Sequence, residues 1–138
     1  MARIKVTELD HIVLNVSDVD RSLQFYIDVL GLQGERVQEF RQGKVGFPSV
    51  RINADTIIDL FPAAESPGPR QTGKTQAANL NHFCLVVGKE DFAGIVDYLN
   101  DNGVAIQQGP ISRWGARGRA TSVYFLDPDG NEIEIRCY

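Results

Sequence analysis

Leu80-Asn81-His82-Phe83-Cys84-Leu85-Val86-Val87 repeats an earlier stretch, Leu9-Asp10-His11-Ile12-Val13-Leu14-Asn15-Val16. The two share Leu, His, Leu and Val at matching places, and each sets an Asp or Asn before its His. The offset is 71 residues, and His11 and His82 are the only histidines in the chain. Two histidines at one place in an internal repeat point to a site built about a symmetry axis. The unit is copied once, so the chain is not a solenoid, which needs three or more units.

The repeat extends on both sides of the histidines. In residues 9–16, Ile12, Leu14 and Val16 fall on one strand face and His11, Val13 and Asn15 on the other. Ser17 or Asp18 then caps a helix whose stripe is Val19, Leu23, Tyr26 and Leu30, with Gly31 as a left-handed C-cap. Three strands are expected at about 35–41, 44–53 and 55–61, with turns at Gln42-Gly43 and Ala54-Asp55. Residues 62–79 contain no large apolar side chain and read as a polar linker. The pattern then restarts. Strand 80–87 leads to a helix from Glu90 or Asp91, with the stripe Phe92, Ile95, Val96 and Leu99, ending at Asn102-Gly103. Further strands are expected at about 104–108, 119–126 and 131–137, with a turn at Asp127-Pro128-Asp129-Gly130. The fold class is therefore α+β. Two βαβββ modules, 1–61 and 80–138, are expected to make one domain of about residues 7–138, with a mostly antiparallel sheet that would be cupped if it curls.

Composition excludes several classes of function. The chain has 138 residues, 43% hydrophobic and 23% charged, with a formal net charge of −4. That balance gives no general attraction to nucleic acid or to an anionic membrane. No apolar run approaches the ~20 residues of a membrane span. Met1-Ala2-Arg3-Ile4-Lys5 lacks the apolar centre of a signal peptide. Cys84 and Cys137 form no CxxC, so a reduced, cytoplasmic protein is the simplest expectation. Cys84 itself reads as a small buried residue rather than a nucleophile.

Each module also carries one acid in its last strand: Ile58-Asp59-Leu60 matches Ile133-Glu134-Ile135 at an offset of 75 residues. Alternation turns Ile133 and Ile135 toward the helix and Glu134 and Arg136 away from it. It likewise turns His82 and Cys84, and Ser122 and Tyr124, to the face opposite the helix. If the sheet curls, His11, Asp59, His82, Glu134, Ser122 and Tyr124 line one cup. Imidazoles with carboxylates suit a divalent Fe, Mn, Ni, Co or Zn ion, and three protein ligands leave positions open for water and substrate. A lone strand histidine is ordinarily structural; the repetition and the facing acids set these two apart. The segment Arg113-Trp114-Gly115-Ala116-Arg117-Gly118-Arg119 reads either as a solvated hairpin or as a mobile loop that grips an anion through Arg113 and Arg117. Arg136 adds a cation on the last strand.

These residues resemble the vicinal oxygen chelate superfamily, which includes glyoxalases, extradiol dioxygenases, fosfomycin-resistance transferases and bleomycin-resistance proteins. The likeness runs from Leu9-Asp10-His11 through Phe25-Tyr26 and Val29-Leu30-Gly31-Leu32 to Tyr124-Phe125-Leu126-Asp127-Pro128-Asp129-Gly130-Asn131-Glu132-Ile133-Glu134. Gly109-Pro110, Arg113 and Gly115-Ala116-Arg117-Gly118 are most similar to small glyoxalase-domain, virulence-associated proteins. The resemblance implies a metal on His11, His82 and Glu134, and a dimer in which the halves of a site can come from different chains. Asp59 stands where glyoxalase I has Glu. Asn15 and Ala63 replace its glutathione-anchoring Arg and Asn, which argues against a glutathione hemithioacetal as substrate.

The expectation is a metal-dependent enzyme, a lyase, isomerase or ring-cleaving dioxygenase, acting on a small, oxygen-chelating, anionic substrate. His11, His82 and Glu134 hold the ion, with Asp59 a further ligand. Glu134 or Asp59 serves as base, Tyr124 donates a proton, and Ser122, Arg113, Arg117, Arg136 and Asn15 bind substrate. The competing expectation is a non-catalytic protein of the same fold that sequesters a small molecule for resistance.

Overall fold

The computed structural model describes residues 7–63 and 80–138. The chain divides into two compact units, 1–66 and 67–138, and each repeats the same plan. The polar linker expected at 62–79 lies, from residue 64 on, outside the described residues. Among the described residues no helix is long and apolar enough to cross a membrane.

In the first unit, β1 (His11–Val16) leads into α1 (Val19–Leu23), which Asp18 caps by accepting from the Arg21 N–H at 3.1 Å. The helical path continues over Gln24–Val29 in wider turns, with Leu30 N–H reaching Phe25 O at 3.0 Å, and Gly31 follows at φ +73°. β2 (Gln33–Glu35), α2 (Val37–Arg41), β3 (Ser49–Arg51) and β4 (Ile57–Pro62) complete the unit. The sheet order is β1-β4-β3-β2, with β1 and β4 parallel and the other pairs antiparallel. Leu14, Val16, Val50, Ile58 and Leu60 turn to the helical side and are buried with Leu23, Phe25 and Tyr26. Each such aliphatic or aromatic side chain contributes about 1.5–3 kcal/mol by leaving water.

The second unit follows suit. β5 (Phe83–Val86), α3 (Lys89–Phe92), α4 (Ile95–Asp101), β6 (Ile106–Gly115), β7 (Gly118–Leu126) and β8 (Glu132–Cys137) form a sheet ordered β5-β8-β7-β6. Again the first and last strands run parallel and the rest antiparallel. Ile95, Leu99, Val123, Phe125, Ile133 and Ile135 form its core.

Three expectations are corrected. The strand expected at 35–41 is a short strand ending at Glu35 followed by helix α2. Arg36 adopts a left-handed backbone (φ +58°) that turns the chain, and Val37 then packs against Gly34, where Ile27 also leaves no room for a Cβ. The run 44–53 keeps only Ser49–Arg51 as strand. The strand expected at about 104–108 is β6, which runs ten residues and pairs with β7 as far as Gly115 and Gly118, so that the Gly-rich stretch around Arg113 takes the hairpin of its two readings. A register shift between Gln108 and Ile111 accommodates Pro110, which has no N–H to give, and places Gly109 (φ +104°) against the Ser122 backbone.

The Asp127-Pro128-Asp129-Gly130 segment is the turn the sequence suggests, and Asp127 is what holds it. Its buried carboxylate accepts from Asp129 N–H (2.9 Å), Asn131 N–H (2.8 Å) and Asn131 Nδ2 (2.9 Å). Asp127→Ala strands two backbone donors, and is expected to lower the unfolding free energy in urea by about 2 kcal/mol.

Candidate functional site

Alternation leaves one face of each sheet without a helix, and the titratable residues gather there. In the first unit, register places Val13, Asp59 and Ser49 side by side across β1, β4 and β3. Asp59 is buried. Its Oδ1 accepts from Ser49 Oγ at 2.6 Å and lies 3.6 Å from Arg36 Nη2, which itself donates to Ser49 Oγ at 2.6 Å. That leaves Oδ2 facing His11 Nε2 at 3.9 Å. The other ring nitrogen, His11 Nδ1, is 2.7 Å from Asp10 Oδ2. That hydrogen bond is the main reason the His11 pKa is raised; Asp59 adds to it and burial opposes it.

The second unit rebuilds the same set of groups. Glu134, also buried, has Oε2 accepting from Ser122 Oγ at 2.6 Å and lying 3.5 Å from Arg136 Nη1. Its Oε1 faces His82 Nε2 at 3.2 Å, and His82 Nδ1 is 2.7 Å from Asn81 Oδ1. Each unit thus presents one His, one carboxylate, one Ser and one Arg. The Ser and Arg hold one carboxylate oxygen, the residue before the His holds Nδ1, and the two remaining donor atoms face each other.

Around the second pair stand Tyr124, Cys84 and Arg113. The Tyr124 ring meets His82 edge-on at 5.6 Å. Burial first, and then the Glu134 carboxylate, raise the phenol pKa against the opposing charge of Arg113, so Tyr124 keeps its proton at neutral pH. Cys84 is register partner of Glu134 and, contrary to expectation, exposed rather than buried. Partial burial and the Glu134 charge push its thiol up to about 11, which leaves it protonated and a poor nucleophile.

Other residues singled out in the sequence are placed elsewhere. Asn15 is exposed on β1, opposite Phe61. Arg117 sits at the hairpin turn, its guanidinium 4.2 Å from the Tyr138 ring centroid and its N–H donating to Tyr138 Oη at 3.0 Å. Arg136 is buried beneath the hairpin and donates to the carbonyls of Trp114 (3.0 Å), Arg113 (2.8 Å) and Gly118 (3.3 Å). Its Nη1 and Nη2 serve the protein's own backbone and Glu134, while its buried Nε has no hydrogen-bond partner among the described residues. Gly115 has to be glycine, because a Cβ there would overlap the Arg136 guanidinium.

Ser49 and Arg36 escape the sequence reading. Ser49 precedes its acid by ten residues and Ser122 precedes its own by twelve, so the two do not align. Arg36 reaches Asp59 from a left-handed backbone (φ +58°), and pattern carries no sign of that. The Asp or Asn before each His was visible as part of the repeat, but its role at Nδ1 was not.

The chemistry of each pair is that of an N,O donor set. A hydrogen bond at Nδ1 fixes the tautomer that leaves the Nε2 lone pair free for a metal. Two donors bound side by side at about 2.1 Å on one ion stand about 3.0–3.4 Å apart. The 3.2 Å between His82 and Glu134 meets that spacing, and the 3.9 Å between His11 and Asp59 exceeds it. Among the described residues, no three His, Cys, Asp or Glu side chains cluster as a ready metal cage.

The repeated βαβββ unit, with a histidine on its first strand and an acid on its last, defines a glyoxalase-like class of protein. The chain belongs to the glyoxalase/bleomycin resistance protein/dioxygenase superfamily, whose profile matches residues 8–135. It is 32% identical to virulence protein STM3117 of Salmonella typhimurium over 134 residues, 96% of this chain and 85% of that one. It is 28% identical to the glutathione transferase FosA of Serratia marcescens, over 92% of this chain and 78% of the other. A glyoxalase/dioxygenase from Nostoc punctiforme superposes with a TM-score of 0.81 at 29% identity, covering 99% of this chain and 94% of that one. The superfamily thus includes relatives named as enzymes, among them a probable lactoylglutathione lyase of Synechocystis, 29% identical over 91% of each chain.

Proposed function

We propose that the protein is a metal-dependent enzyme of the glyoxalase/dioxygenase type that acts on a small, oxygen-chelating, anionic substrate. The observation that carries this reading is the His82–Glu134 pair. Asn81 and Ser122 tie the outer atoms of both side chains, leaving Nε2 and Oε1 at ligand spacing, 3.2 Å apart. His82, Glu134 and His11 hold one divalent ion of the Fe, Mn, Ni, Co or Zn group, with Asp59 beside His11. When bound, that ion supplies a Lewis acid for two neighbouring substrate oxygens.

The chain's own groups do the rest. Tyr124 keeps its proton and offers it at its phenol oxygen. Asp59 Oδ2 is the oxygen that Ser49 and Arg36 leave free, and it is placed to accept a proton. Arg113, whose charge already acts on Tyr124, orients the substrate anion. Ser122 works on substrate through Glu134, and Arg117 and Asn15 lie at the margins of the site. The working form is a homodimer in which the two halves of a site come from one chain or from two.

Protein purified without chelator is expected to carry one divalent ion per site by elemental analysis. His82→Ala and His11→Ala are each expected to lose it. Absence of a stoichiometric ion, together with unchanged metal affinity in His82→Ala, would sink the reading. Ligand binding that survives chelator treatment with no turnover would instead point to the sequestering protein.

A further inference from the structure

The two His–acid–Ser–Arg sets match in kind but not in exposure. The Arg136 side chain is 3% exposed and spent on three backbone carbonyls. The Arg36 side chain is 40% exposed, and its contacts to Ser49 and Asp59 both use Nη2. Arg36 therefore retains a guanidinium edge that a ligand can reach. Its left-handed backbone (φ +58°) is unusual for a non-glycine residue and costs of order 1 kcal/mol, a strain found where a side chain has to be aimed.

What lies beside that guanidinium is apolar and aromatic. Arg36 Cζ stands 5.4 Å from the centroid of the Phe47 ring. Phe47 in turn packs on Phe61, with centroids 4.4 Å apart and planes tilted by 38°. Phe61 is two residues beyond Asp59 on β4 and shares its face, opposite Asn15. It remains 38% exposed. Through Phe47, the half-exposed Phe61 ring and the free edge of Arg36 offer an apolar surface next to a cation, which suits a ligand with a flat apolar body and a negative end.

We infer that Arg36, Phe47 and Phe61 form a subsite for an aromatic ring bearing an oxyanion. The ring would lie on the Phe47–Phe61 pair, gaining area burial and ring–ring contact. The oxyanion would take the free edge of the Arg36 guanidinium in a charge-assisted hydrogen bond. Asp59 Oδ2 and His11 Nε2 lie on the same face of the sheet, so the substrate's reactive oxygens would extend from the anchored ring toward them. The assignment deepens the proposed function, because it rests on that face being where substrate binds, and it narrows the substrate to aromatic acids.

The test uses the full chain after chelator treatment and three probes: phenylphosphonate, methylphosphonate, which lacks the ring, and benzyl alcohol, which lacks the charge. Affinities come from two-dimensional NMR titration. Phenylphosphonate is expected to bind about 10-fold tighter than either partial probe, and Arg36→Gln to lower its affinity about 10-fold, the effect of one charge-assisted hydrogen bond. Phe61→Ala is expected to lower it about 3- to 10-fold. Arg119→Gln, which removes a cation stacked on Trp114 at 4.8 Å and a hydrogen bond to Ser112 Oγ at 3.3 Å in the second unit, is expected to change nothing. Equal affinity for all three probes, or an Arg36→Gln variant that binds phenylphosphonate as tightly as the parent, overturns the subsite. So does a Phe61→Leu variant, chosen to keep the core folded, that melts far below the parent yet binds normally, since the ring would then be packing against protein. No metal is present in this experiment. A parent protein that loads metal but does not bind phenylphosphonate therefore refutes the subsite alone, and one that binds phenylphosphonate as expected but takes up no metal refutes the metal reading alone.

Discussion

Arg136→Met is expected to remove about 3–5 kcal/mol of unfolding free energy, the usual cost of breaking a buried ion pair from one side. The substitution leaves Glu134, 5% exposed at its side chain, without the guanidinium beside its Oε2. It also leaves the carbonyls of Arg113, Trp114 and Gly118 without their donor at the end of the β6–β7 hairpin. Lys at this position cannot replace a planar fork that serves three carbonyls and a carboxylate, so Arg136→Lys is expected to recover only a small part of the loss. Urea unfolding measures both. Adding Glu134→Gln to Arg136→Met removes the orphaned charge, and the double-mutant cycle is expected to return a coupling energy of about 1–3 kcal/mol. A loss below about 1 kcal/mol in Arg136→Met would mean that the guanidinium is not the clamp its contacts describe.

Ser122→Ala is expected to weaken divalent-metal binding about 10- to 100-fold while leaving all three proposed ligands in place. Ser122 is fully buried and its hydroxyl ties Glu134 Oε2 at 2.6 Å, so Oε1 alone is presented to His82. Without that tie the carboxylate can rotate, and ordering it again falls on the metal. Glu134→Gln takes away a charged donor outright and is expected to lower affinity further. Ser49→Ala, the same change in the first unit, is expected to have the smaller effect, because the His11–Asp59 spacing of 3.9 Å lies outside that of two ligands on one ion. Competition against a chromogenic chelator ranks the three. Unchanged affinity in Ser122→Ala would show that the Glu134 orientation does not matter to the metal, and an equal effect of Ser49→Ala would place Asp59 among the ligands.

The distinction between Ser122 and Ser49 shows what could be read along the chain. Period-two alternation exposed the facing of His11, His82, Asp59, Glu134, Ser122 and Tyr124, because a one-residue change of phase would have put Ile133 and Ile135 in water. Strong turn residues at Asp127 and Gly31 were legible for the same reason: their roles are local. Residues 35–41 misled because Val37 and Phe40 suit a strand or a helix equally, and the choice fell to a left-handed turn at Arg36 and to packing at Gly34. The cationic segment after Pro110 leaves hairpin and loop equally open in the sequence because its glycines and proline break pattern; a bulge absorbs them and the strand runs on.

By itself, the sequence determined that this protein is a duplicated βαβββ fold and that each copy carries a histidine and an acid on the face without a helix. Those properties follow from periodicity and repetition, which are local and additive along the chain. Only the tertiary structure decided which atoms of those residues are free to act. Asn81 and Asp10 hold Nδ1, Ser122 and Ser49 hold one carboxylate oxygen, Arg136 is spent beneath a hairpin and Arg36 is left half exposed. Each of these depends on hydrogen bonds with narrow distance and angle limits, made across strands or at a turn whose register and backbone the one-dimensional pattern does not encode.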